Sequence, residues 1–104
     1  MIPALTARLA ELAALDQTTS YGQLARDLGL QGPATIARLT EALESLMDQD
    51  AARNHPLRAA LLTARGSTLP APGFFHKAAA LGLTIHDQAA FVAAQRQALH
   101  LNCP

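Results

Sequence analysis

The chain has no tryptophan, and aromatic residues of any kind make up only 4% of it. The core must therefore be built largely of leucine against alanine. The large apolar pieces are limited to Tyr21, Phe74, Phe75 and Phe91 set among leucine and alanine. There is one cysteine, Cys103, so no intrachain disulfide can form and cysteine usage gives no sign of an oxidising compartment. Neither sign of charge is in excess, with eight Lys and Arg against eight Asp and Glu. Such a chain lacks the broad positive field of a non-specific nucleic-acid binder. A local cluster of arginines can still position a phosphate. No apolar run approaches the roughly 20 residues that span a bilayer, so no membrane partner is expected. The N-terminal stretch has no basic start, and Arg8, Glu11 and Asp16 interrupt its apolar residues, unlike a signal peptide. These absences point to a cytoplasmic chain, and the composition has a bacterial style.

What is present is leucine and alanine. Half of the 104 residues are hydrophobic, and the scarcity of β-branched residues favours helices. That length is one domain, residues 1–104, able to bury a core without disulfide or metal staples. Leu5, Leu9, Leu12 and Leu15 recur at helical spacing and predict a first helix starting near Pro3 and ending at the polar stretch 16–19. Ser20 and Gln23 form a capping box for a short second helix with Tyr21, Leu24 and Leu28 inward and Gly29 as its stop. Pro33 is placed to open a long third helix. Ile36, Leu39, Leu43, Leu46 and Met47 fit its buried face, while Arg38, Glu41, Glu44 and Asp48 face outward. That helix is expected to fade through residues 50–53 and stop before Asn54-His55-Pro56, because the residue ahead of a proline avoids helical geometry.

Residues 57–64 lie between Pro56 and the Arg65-Gly66-Ser67 turn, and that position predicts a strand. Leu69 is placed to start its return, giving a short β-hairpin over 57–69. A fourth helix is expected over Phe74–Leu81, stopped by Gly82. A fifth is capped by Thr84 with Asp87 at the capping-box position, and buries Ile85, Phe91, Val92 and Leu99. The fold class is thus α+β and mostly helical: a helix-turn-helix, one short β-hairpin and two C-terminal helices.

Chemistry-bearing constellations are sparse. His55, His76, His86 and His100 are not paired at the spacing of a helical zinc site, and there is no CxxC. They read as surface or helix-end histidines. No nucleophile elbow or phosphate-cradling glycine loop occurs. Cys103 is a poor candidate thiol so near the end of the chain. Glu41, Glu44 and Asp48 share one helix face, which is usually a solvated face. No metal or cofactor and no enzymatic activity are expected. The more specific pattern is the short helix, tight turn and longer helix. In such motifs the second helix enters the major groove by its N-terminal residues, here Thr35 and Arg38. Arg58 and Arg65 would then approach phosphates from the strand and the turn.

The segment Thr19-Ser20-Tyr21-Gly22-Gln23-Leu24-Ala25 resembles the "TYGxIA" segment of the alkylguanine-DNA alkyltransferases and their alkyltransferase-like relatives. Residues 36–43 stand where that family has "ARAVGRAL", and Pro56 to Gly66 where it has a proline, a strand and a glycine turn. Residues 57–62 and Leu69-Pro70-Ala71-Pro72-Gly73-Phe74-Phe75 also resemble an uncharacterised bacterial group with "TYGxLA", "P-L-xALVV" and "G-xPxxGFF" segments. The resemblance covers about residues 18–76. It implies a winged-helix, DNA-associated module. It also implies inactivity, because the family's "PCHR" active site is replaced by His55-Pro56-Leu57-Arg58, with no cysteine after the proline. The family's base-displacing arginine aligns with Ala37, one residue before Arg38. The sequence thus leaves two partners open. One is DNA, contacted by Thr35, Arg38, Arg58 and Arg65. The other is a protein, or a second copy, bound with no DNA contact.

Overall fold

The structure is a computed structural model that describes residue 2 and residues 4–102. Helix α1 spans Leu5–Ala14 and buries Leu5, Leu9 and Leu12, as their spacing requires. Leu15 continues that stripe in the sequence but falls at the helix cap and is 62% exposed. Pro3, the expected start, lies outside the described residues. Strand β1 (Thr19–Ser20) leads directly into α2 (Tyr21–Asp27). Helix α3 (Thr35–Ala52) is followed by a 3₁₀ turn (Arg58–Leu61), strand β2 (Leu62–Thr63), α4 (Pro72–Ala80) and α5 (Gln88–Leu101).

Helices α1 to α4 end alike. The residue after each cap adopts a left-handed conformation: Asp16, Gly29, Asn54 and Gly82, with φ between 54° and 92°. In each case its N–H and the next residue's N–H turn back onto carbonyls of the last turn, as in Gln17 to Leu12 and His55 to Asp50. These are Schellman closures. The third helix therefore stops at Asn54 through its own backbone, two residues before Pro56 intervenes.

The expected hairpin over 57–69 does not form. Residues 58–61 make the 3₁₀ turn, and the two-residue β2 pairs in parallel with β1, Thr19 opposite Leu62 and Ser20 opposite Thr63. The reason is local. Arg58-Ala59-Ala60-Leu61 has no β-branched residue, and an Asp50 carboxylate oxygen accepts the turn's first N–H, from Arg58, at 3.0 Å. The return at Leu69 is limited to its carbonyl accepting from Ala64 N–H at 2.7 Å, around a closed turn at 65–68. Pro70 and Pro72 then remove donors that a strand would need. The mostly helical architecture and the two C-terminal helices stand. The strand pair is a crossover contact instead of a wing.

The 3₁₀ turn is the centre of the core. It packs against α1, α3 and α5, and Leu57, Ala59, Ala60, Leu61 and Leu62 are all buried. Leu24, Leu39 and Leu43, expected inward from their spacing, are at most 3% exposed, and Leu61 and Phe74 are at most 5% exposed. Phe74 and Phe75 meet edge to face at 5.1 Å, with Phe91 tilted against Phe74 at 6.3 Å. Tyr21 hydroxyl accepts the Ala71 N–H at 3.1 Å and so ties the start of α2 to the proline segment ahead of α4. No helix among the described residues is long and apolar enough to cross a membrane.

Candidate functional site

The short helix, turn and long helix are present and packed together. Ser20 caps α2, its hydroxyl accepting Gln23 N–H at 3.1 Å. The turn delays α3: Ala34 is left-handed (φ 61°), and the helix begins at Thr35 instead of at Pro33. No side chain caps this end, so the first amides of α3 and the positive end of its dipole are available to an anion.

The expected site residues separate into distinct environments. Thr35 is half-buried at the helix start, and its hydroxyl donates to Gly32 carbonyl at 2.6 Å, which leaves it free only as an acceptor. Arg38 is exposed, with a single long contact of 3.5 Å to Gln31 carbonyl. Ile36, expected in the core, is 46% exposed beside it, because it sits at the tip of α3 beyond the packed part of the helix. Farther along, Glu41 and Asp48 are exposed, and Asp48 pairs with Lys77 at 2.9 Å. Arg65 is exposed on its turn and has no side-chain hydrogen bond or ion pair among the described residues.

Arg58 lies elsewhere and is engaged. Its Nη2 approaches Oδ1 of Asp50 at 2.8 Å, and its Nε donates to both carboxylate oxygens at 3.0 and 3.2 Å. Asp50 is fully buried. Arg53 and His55 approach the same Oδ1 at 4.0 and 3.6 Å. Arg38 and the Asp50 carboxylate at the centre of this cluster sit toward opposite ends of α3, about 18 Å apart along an axis rising 1.5 Å per residue. One phosphate therefore cannot bridge them.

The backbone of 57–62 is held by side chains from two helices. Besides Asp50, Gln95 Oε1 accepts Leu57 N–H at 2.7 Å, and Arg96 donates to Ala60 and Leu62 carbonyls at 2.7 and 3.4 Å. Burial lowers the affinity of Arg96 for its proton. Asp50, Arg53, Gln95 and Arg96 were not singled out from sequence. A signal existed: Asp50 falls three residues after Met47 on the inward stripe of α3, and Gln95 and Arg96 lie between Val92 and Leu99 on that of α5.

An open groove of about 830 Å³ runs between the start of α1 and the outer face of α3. Ile2, Leu5, Ala42 and Leu46 give it an apolar floor, with Arg38 and Glu41 among its walls. The four histidines are exposed, and His100 Nδ1 donates to Ala13 carbonyl at 2.9 Å, joining the ends of α5 and α1. Cys103 lies outside the described residues. Among the described residues no three His, Cys, Asp or Glu side chains converge to hold a metal. No family model, curated protein or solved structure matches the chain.

Proposed function

We propose that this chain is a non-enzymatic, DNA-associated module that meets a duplex with the first turn of α3. The observation that carries this reading is the exposed, uncapped tip of that helix. There an apolar Ile36 and a lightly held Arg38 stand out from the core together. A side chain like Ile36 suits the methyl group of thymine, and a free arginine suits a phosphate or guanine edge. The acids on the rest of α3 restrict contact to its tip. Arg58 is committed to Asp50, so Arg38 and Arg65 remain as the free cations of the original set. One or two phosphate contacts give weak binding with a log–log salt slope of about −1 to −2. A gel-shift titration at low and moderate salt tests this. Arg38→Ala should abolish retention of a duplex at low salt. Wild-type protein that shows no retention there refutes the reading.

A second reading is favoured by the groove. Arg38 and Glu41 have no ion pair among the described residues, yet both border an apolar floor. In a two-fold pair of chains, Arg38 of one copy can meet Glu41 of the other, which is the self-complementarity an isologous interface requires. Sedimentation across a concentration series separates the readings. A dimer lost on Glu41→Arg and restored on adding Arg38→Glu supports the second.

A further inference from the structure

We infer that Arg53 and His55, held at the C-terminal end of α3, form a binding site for a phosphoryl oxyanion. The site begins with a saturated counter-ion. The Asp50 carboxylate already accepts Arg58 N–H and Arg58 Nε, and has Arg58 Nη2 at 2.8 Å. Arg53 and His55 are drawn toward the same oxygen but stop at 4.0 and 3.6 Å, beyond hydrogen-bond reach. The guanidinium donors of Arg53 are therefore unspent. Arg53 makes no side-chain hydrogen bond among the described residues, and its side chain is 65% exposed. His55 gives its Nδ1 proton to Pro56 carbonyl at 2.7 Å, and its ring is 40% exposed, so Nε2 is left without a partner.

The charge balance agrees. One buried carboxylate faces two guanidinium groups and an imidazole, and no second acid pairs with them among the described residues. The negative end of the α3 dipole opposes an anion here. It is offset, because the last carbonyls are already bonded, Asp50 by Arg53 and His55 amides and Ala51 by Asn54. The frame is also fixed. Asn54 closes the helix in a left-handed conformation, and Asp50, Gln95 and Arg96 pin the backbone that follows. A planar guanidinium fork matches two oxygens of a tetrahedral phosphate, and His55 Nε2 beside it donates to a third when the ring carries a second proton. This site is at the far end of α3 from Arg38 and does not depend on the proposed DNA contact. Its ligand is a phosphate group, either free or on a phosphodiester backbone.

The test is an NMR titration of the whole chain with inorganic phosphate at constant ionic strength, following the His55 ring and Arg53 Nε–H signals. A parallel titration uses a short DNA duplex. Saturable shifts at these two residues are expected, weakened roughly tenfold by Arg53→Gln, the loss of a charge-assisted pair, and unchanged by Arg26→Gln on the exposed face of α2. Shifts with phosphate alone assign the source to free phosphate, and shifts with duplex alone to phosphodiester. Failure of duplex retention with phosphate shifts intact removes only the DNA reading. Shifts that chloride reproduces, or that survive both Arg53→Gln and His55→Asn in folded protein, overturn the inference. So does their absence with both ligands.

Discussion

Replacing Asp50 with alanine removes the one fully buried charge among the described residues and the support of the segment at the centre of the core. Three contacts are lost to Arg58: its backbone N–H at 3.0 Å, its Nε at 3.0 Å, and Nη2 at 2.8 Å. Breaking a buried pair from one side costs about 3–5 kcal/mol, because the remaining charge is stranded. Arg58 retains 19% side-chain exposure, so water relieves part of that strain and the lower half of the range is expected. The 3₁₀ turn also loses the acceptor for its first N–H, a penalty of about 1–3 kcal/mol that overlaps with the first. A net loss of about 3–4 kcal/mol is a large share of the 5–15 kcal/mol typical of a domain. Urea denaturation followed by far-UV circular dichroism measures it, with an unchanged m-value showing that the denatured state is not the cause. Asp50→Asn keeps an acceptor but not the charge, and should fall between wild type and alanine. The double variant Asp50→Ala/Arg58→Met should recover part of the loss, since no charge is left unpaired. An Asp50→Ala protein within about 1 kcal/mol of wild type refutes the reasoning, because that is the scale of an ordinary surface pair.

Three further outcomes follow from the geometry. Tyr21→Phe strands the Ala71 N–H and should cost about 1–2 kcal/mol in the same denaturation. Burial raises the Tyr21 pKa above 10.0, so the unfolded chain ionises first and stability falls as pH climbs past that value. Melts across the alkaline range should show this fall shrinking in Tyr21→Phe. Asp16→Gly and Asn54→Gly relax left-handed positions (φ 54° and 56°), and each should raise stability by about 0.5–1 kcal/mol, read as a higher urea midpoint.

Much of the helical framework was legible because leucine spacing is a direct record of burial. Leu5, Leu9 and Leu12, and Leu39 and Leu43, are buried where their period puts them. The helix ends were less legible. Asp16 and Asn54 close helices by adopting a conformation usually given to glycine, and that choice is made by backbone bonds. The parallel pairing of Thr19–Ser20 with Leu62–Thr63 could not be read, since two residues per strand leave no alternating pattern. At the candidate site, the exposure of Arg38 and Arg65 follows from an outer helix face and a turn position. The engagement of Arg58 does not, because it depends on Asp50, eight residues earlier on the buried stripe of α3. Ile36 shows the limit of periodicity: it lies in phase with the core but at a level of the helix where no core remains.

The central claim is that the tip of α3 is the face that meets DNA. Amide chemical-shift mapping of the labelled chain with a short duplex at low salt tests it most directly. Shifts concentrated at Thr35, Ile36, Ala37 and Arg38, fading as salt is raised and absent in Arg38→Ala, are the expected result. The claim is contradicted if these amides do not move at low salt. It is equally contradicted if the only shifts arise along Ile2, Leu5, Ala42 and Leu46 as the protein itself is concentrated.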